Sequence, residues 1–311
     1  MIDPARTRQM RNITEAVGET PLVRLRHVGK NFPDVELYLK LEYRNPGGSV
    51  KDRSALQMMR DAVLDGRLDH QKTLIDATSG NTGVAYALFG AALGYRVKLV
   101  MPSNVSEARK DIAKAFGTEL IFSDPMEGSD GAIHHCRALV DASPETYFYP
   151  DQYSNPSNPK AHYLGTGQEI IEQVGNRLTH FVTGLGTTGT FMGISRRLKE
   201  YRSSIRCVAL EPDEALHGLE GLKHMETSMI PDIYDARMPD ELLRIGTDAG
   251  WDMADRLAAE EGLHVGHSTG ANVCGALQLA ERIGRGCIVT IAPDRGDRYF
   301  APMRWEKHYE W

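Results

Sequence analysis

The 311-residue chain is 41% hydrophobic and 25% charged, with a formal net charge of -6. That is enough chain for two domains, or one large α/β domain, around a real core. The charges are mixed along the sequence, which points away from nucleic acid or an anionic membrane as partner. Four cysteines, Cys136, Cys207, Cys274 and Cys287, are too widely spaced for a zinc site or a disulfide framework, so no metal is expected and a reducing, cytoplasmic setting is. The N-terminus MIDPARTRQMRN has no apolar signal core, and no apolar run is long enough to span a bilayer.

In chain order, short apolar runs rich in Val, Ile and Leu alternate with amphipathic stretches. Residues 36–41 read as a strand, 54–64 as a helix, 73–77 as a strand, 84–93 as a helix, 97–101 as a strand, 108–116 as a helix and 119–122 as a strand. Residues 144–160, SPETYFYPDQYSNPSNPK in sequence, are rich in Pro, Ser and Asn and mark an internal boundary. Beyond it come strands at 181–183, 207–210 and 287–291 and helices at 191–201, 249–261 and 271–283. Thr247 or Asp248 is expected to cap the helix that stops at Gly262, and Gly284 to follow the last one. Strand–helix alternation predicts an α/β fold with mostly parallel sheets covered by helices. The expected division is a smaller domain over 36–150, a larger one over 12–35 plus 151–300, and a tail over 301–311.

Three loops carry candidate chemistry. Asn45-Pro-Gly-Gly-Ser-Val-Lys51-Asp-Arg53 follows a strand and leads into a helix. Lys51 then sits where the helix dipole disfavours a cation, which makes a lysine a better nucleophile and base; an exposed lysine beside a turn is the plain alternative. Thr78-Ser79-Gly80-Asn81-Thr82-Gly83 links a strand to a helix and offers hydroxyls and amides to a carboxylate or phosphate, more than a single helix cap needs. Gly184-Leu-Gly186-Thr187-Thr188-Gly189-Thr190 is a second anion cradle, and it spells neither a P-loop nor a dinucleotide fingerprint. Two anion cradles and a reactive lysine fit a phosphorylated aldehyde cofactor with an amino-acid substrate, and pyridoxal phosphate combines those features.

Taken together, the segments ETPLVR, KLEYRNPGGSVKDR, TSGNTG, DQYSNPSNPKAHYLGTG, GLGTTGT, GHSTGA and DRGDRY resemble the β-family of pyridoxal-phosphate enzymes, fold type II. The nearest resemblance is to cysteine synthases of the B-type branch, and it runs over nearly the whole chain. It implies two domains, each with a twisted, mostly parallel sheet flanked by helices. It also implies that Lys51 holds the cofactor as a Schiff base and then acts as base and acid. Asn81 would contact the cofactor's phenolic oxygen, and Gly186, Thr187, Thr188, Gly189 and Thr190 its phosphate. Ser268 would face the pyridine nitrogen. Thr78, Ser79, Asn81, Thr82 and Gln152 would bind the substrate carboxylate.

The implied reaction is replacement at the β-carbon of O-acetylserine or O-phosphoserine by sulfide or another sulfur donor, giving cysteine, in a cytoplasmic homodimer. A sulfur-carrier protein is one conceivable partner. Bacterial cystathionine β-synthase and 2,3-diaminopropionate synthase are the alternative activities; a non-catalytic partner in a sulfur-assimilation complex fits poorly with retention of Lys51 and all three loops. The chain shows no haem-binding extension or regulatory module of the animal cystathionine β-synthase type. Lys223, in His217-Gly-Leu-Glu-Gly-Leu-Lys223, stands where the phosphoserine-using branch has a basic residue. It is read equally as a phosphate contact and as a solvated loop lysine. His267 reads as a packed neighbour of Ser268.

Overall fold

The computed structural model describes residues 9–299. Its strands are β1 (Leu22–Arg24), β2 (Val35–Leu41), β3 (Thr73–Ala77), β4 (Arg96–Pro102), β5 (Glu119–Ser123), β6 (Tyr147–Phe148), β7 (His180–Gly184), β8 (Arg206–Pro212), β9 (Glu241–Ile245) and β10 (Gly286–Ala292). Its helices are α1 (Lys51–Leu64), α2 (Asn81–Leu93), α3 (Glu107–Ala115), α4 (Gly128–Ala142), α5 (Ser157–Ala161), α6 (Gly167–Val174), α7 (Gly189–Tyr201), α8 (Thr247–Glu261) and α9 (His267–Ile283), with a π-helical turn, His162–Thr166, joining α5 to α6. These fall into two compact units: residues 9–19, 45–47 and 51–157, and residues 20–44, 48–50 and 158–299.

The smaller unit holds a parallel sheet in the order β5-β4-β3-β6. Every residue of β3 is buried, as a strand covered on both faces requires. Its side chains alternate accordingly. Leu74 joins Ala55, Met58 and Met59 of α1 and Ala85, Tyr86 and Phe89 of α2, while Ile75 and Ala77 join Ala132, Ile133 and Cys136 of α4. Helix α4 was not among the elements expected from sequence; Gly128 and Gly131 in its first turn lower its helix propensity, and packing overrides them.

The larger unit holds the order β1-β2-β10-β7-β8-β9, in which only the β1–β2 pair is antiparallel. Val182, Val208, Leu210 and Ile288 pack with residues of α8 and α9; Phe181, Cys207, Ala209 and Val289 pack with α6 and α7. Both sheets thus have the covered, mostly parallel form expected of the α/β class.

Several expected boundaries move. Residues 36–44 lie in the larger unit and not the smaller, because β2 pairs along its whole length with β10. An apolar run announces a strand but not which distant strand it will join. Lys40 secures β2 there: fully buried, its Nζ donates to Thr20 O at 2.7 Å, Glu169 Oε2 at 2.7 Å and Gln173 Oε1 at 2.8 Å. Residues 12–19 cluster with the smaller unit, which extends to Ser157. Helix α8 starts from Gly246 without a side-chain cap; the Thr247 hydroxyl accepts instead from the Gly218 N–H at 3.0 Å. The expected tail over 301–311 lies outside the described residues.

Candidate active site

In the smaller unit, Lys51 is the first residue of α1 and is half-buried. The turn before it is fastened by the buried Asp52, whose carboxylate accepts the Gly47 N–H. The Ser54 hydroxyl bonds Lys51 O at 3.1 Å. A lysine so placed meets the positive end of the helix dipole, as the sequence led one to expect. Helix α1 in turn packs on α2 in one shared core.

Helix α2 opens at the second candidate loop. Gly80 precedes it and gives no side-chain cap, which leaves the helix start open to an anion; within it the Gly83 N–H already bonds Gly80 O at 3.0 Å. Thr78 Oγ1 accepts the Gly80 N–H at 3.3 Å. Thr82 donates to Gln152 Oε1 at 2.8 Å, both side chains buried. The structure therefore joins Gln152 to the loop across 70 residues of sequence, while Thr78, Ser79 and Asn81 stay half-buried at its rim. Such a loop brings hydroxyls and amides of the kind that bind a small anion close together in sequence and structure.

In the larger unit the third loop joins β7 to α7. Its entry is pinned by Asn272 of α9, which accepts the Gly184 N–H at 2.8 Å and donates to Ile291 O at 2.8 Å. Gly186 leaves no space for a side chain, since a Cβ there would strike Gly221 O; at Gly189 it would strike the Asn158 amide. Asn158 Nδ2 donates to Thr187 Oγ1 at 3.1 Å, and His162 Nε2 lies 3.3 Å from Thr190 Oγ1. Thr188 adopts φ 70°, a left-handed conformation that costs a β-branched residue about 1–3 kcal/mol. Its buried hydroxyl makes no hydrogen bond with any described residue. An uncapped helix start, a strained turn and an unsatisfied buried hydroxyl together fit a tetrahedral oxyanion such as a phosphate.

Ser268 is buried at the second position of α9, about one turn before Asn272. The neighbouring His267 packs its ring 4.8 Å from that of Trp251, in keeping with a packing role. The Lys223 N–H donates to Leu185 O at 2.7 Å, so the backbone at 221–223 lies against the cradle's first residues. Asn158, His162 and Asn272 were not singled out from sequence as site residues. Asn158 and His162 lie in the segment DQYSNPSNPKAHYLGTG, and the π-helical turn beginning at His162 is the kind of irregularity that accompanies functional sites.

The protein's own thiols are poor nucleophiles. Burial pushes Cys136 and Cys287 up to about 12 and Cys207 and Cys274 up to about 11, so all four are protonated and unreactive at neutral pH.

Residues 13–294 match the family described as pyridoxal-phosphate dependent enzymes. The chain belongs to that family. Its cofactor is pyridoxal phosphate, and the cradle at Gly186–Thr190 suits the cofactor's phosphate by its shape and donors. The chain is 49% identical to a cysteine synthase of Aquifex aeolicus, over 92% of this chain and 90% of the relative. It is 42% identical to cysteine synthase B of Escherichia coli, over 96% of this chain and 98% of the relative. The crystal structure of a cysteine synthase from Entamoeba histolytica superposes with a TM-score of 0.93 at 36% identity, covering 100% of this chain and 95% of that one. A pyridoxal-phosphate enzyme with fold type II architecture accounts for the two covered sheets described above.

Proposed function

We infer that this chain is a cysteine synthase, exchanging an oxygen leaving group on the β-carbon of a serine derivative for sulfur. The observation that carries the reading is the loop Thr78–Thr82: an uncapped helix start ringed by hydroxyls and tied to Gln152 is suited to an amino-acid carboxylate. The names of relatives that match over nine-tenths or more of their length support it.

Bound pyridoxal phosphate supplies an aldehyde for the substrate amine and a ring that draws electrons from the α-carbon. The chain's residues do the rest. Lys51 carries the cofactor, and its Nζ takes the α-proton and later returns it. Asn81 would contact the cofactor's phenolic oxygen, Gly186, Thr187, Thr188, Gly189 and Thr190 would hold its phosphate, and Ser268 would meet its ring nitrogen. A serine hydroxyl, unlike a carboxylate, would not compel that nitrogen to stay protonated, which suits loss of a leaving group from the β-carbon. Thr78, Ser79, Asn81, Thr82 and Gln152 fix the substrate carboxylate. With O-acetylserine and sulfide, the β-carbon–oxygen bond breaks and acetate leaves. A carbon–sulfur bond then forms, and the α-proton goes back to the α-carbon.

O-Phosphoserine is a second donor reading, supported by the backbone tie between Lys223 and Leu185, which places a basic residue's main chain beside an anion cradle. The working form proposed is a cytoplasmic homodimer using a small-molecule donor and sulfide, or the thiocarboxylate of a sulfur-carrier protein, as sulfur source. No helix among the described residues is long and apolar enough to cross a membrane. A matrix of donors (O-acetylserine, O-phosphoserine) against acceptors (sulfide, thiosulfate, homocysteine, an amine), with products identified by mass spectrometry, tests the reading. Cysteine from sulfide is expected; a diamino acid or cystathionine as the main product would replace it.

A further inference from the structure

We infer that Asp76, at the end of β3, is a positioning residue for the substrate carboxylate: while neutral it lets the Thr78–Thr82 loop accept an anion, and once ionised it opposes one. The inference rests on the reading of that loop as a carboxylate cradle.

Asp76 is 2% exposed. Its Oδ1 accepts the Ala77 N–H at 2.8 Å, orienting the peptide that leads into Thr78. Its Oδ2 is buried and makes no hydrogen bond of normal geometry with a described residue; the donor beside the carboxylate is the buried hydroxyl of Tyr86. The groups that act on it are a phenol and a second carboxylate: Tyr86 from α2 and Asp151 from the segment after β6. Tyr86 is itself fully buried, with its hydroxyl 3.8 Å from Met58 Sδ of α1. The charge of Asp76 is felt in turn by Cys136 of α4 and by Tyr149 and Tyr153. The cation of this cluster, Arg137 of α4, lies 3.7 Å from Asp151.

An ionised carboxylate in such a place has the Ala77 N–H and the Tyr86 hydroxyl as donors, but no cation among the groups that act on it, and the two donors do not offset its desolvation. Burial pushes Asp76 up to about 7, the Ala77 N–H and the Tyr86 hydroxyl opposing the rise and Asp151 adding to it. The proton therefore comes and goes near neutral pH. The cluster also reaches the other end of the cradle: Asp151, held at φ 46°, immediately precedes Gln152, which accepts from Thr82. A negative charge appearing at the foot of a loop that holds an anion weakens that anion's binding, most strongly in a buried, poorly screened setting.

The test compares wild-type and Asp76→Asn holoenzyme, with O-acetylserine as the varied substrate and sulfide fixed. Between about pH 6 and about pH 8.5 the wild-type KM is expected to rise about tenfold more than that of Asp76→Asn, with the kcat profiles superimposable. Parallel KM profiles would overturn the inference.

Thermal unfolding supplies a readout independent of turnover. The raised folded-state value means that the native chain holds a proton which the unfolded chain releases near pH 4. Wild type should therefore lose stability relative to Asp76→Asn as pH rises from about 4 to about 7, and the difference should level off above that. A pH-independent difference in melting temperature would show that Asp76 does not titrate there, and would also overturn it. Ser79→Ala separates the two readings. If it raises KM while the Asp76→Asn profile stays parallel to wild type, the cradle stands and the role of Asp76 falls; if neither substitution moves KM, the cradle reading falls with it.

Discussion

In the smaller unit, the loop Thr78–Gly83 keeps Thr78, Ser79, Gly80 and Asn81 half-buried, with the Thr78 hydroxyl bonded within the loop and that of Thr82 bonded to Gln152. In the larger unit, Thr187, Thr188 and Gly189 are buried, Thr188 is held in a left-handed turn, and the two glycines are closed off by Asn158 and Gly221. Both loops leave a parallel strand and open a helix with no side-chain cap, so the elementary anion site is the same. What differs is the surrounding shell. A group that stays through every turnover rewards a rigid, buried, prestrained cradle, because the cost of organising it is met on folding. A substrate that must enter and leave needs an open rim.

The comparison can be broken at four points. Lys51→Ala is expected to cut turnover by about a thousandfold or more, with loss of borohydride-fixed cofactor at that position; peptide mapping that finds the reduced cofactor on another lysine would reassign the attachment. Gly189→Ala pushes a methyl group into the Asn158 amide. It should weaken pyridoxal-phosphate binding by about ten- to a hundredfold, read as the apo-enzyme's affinity in a fluorescence titration. Undiminished affinity would mean that the loop relaxes and that its tightness is unrelated to the phosphate.

Ser79→Ala, in the open cradle, should leave cofactor content intact and raise the donor KM by about tenfold. If it empties the enzyme of cofactor instead, the roles given to the two loops are wrong. The smallest effect expected is that of Lys223→Ala: a loss of about tenfold in kcat/KM for O-phosphoserine and little for O-acetylserine, assayed with one acceptor at low and moderate salt. Equal losses for both donors would leave Lys223 as a loop residue only.

The sequence alone determined the strand–loop–helix form of the three candidate loops and most of the elements around them. The reason is local: a run of Val, Ile and Leu that ends in Gly, Ser and Thr and resumes as an amphipathic stretch carries its own signals for a strand, a loop and a helix. Hence the expected strand at 73–77 is β3 to the residue, and the expected helix at 84–93 is α2 less its first turn.

Tertiary structure decided what depends on distant partners. Strand β2 joined the larger sheet because β10, some 250 residues on, supplies its neighbour and Glu169 the ion pair for Lys40. Gln152 met Thr82, Asn158 met Thr187 and Gly189, and Asn272 met Gly184 for the same reason. Asp76 was invisible as a titrating group in the sequence, where it is one aspartate in an apolar run; its character comes from the depth at which the fold buries it and from the neighbours it is given there, Tyr86 and Asp151.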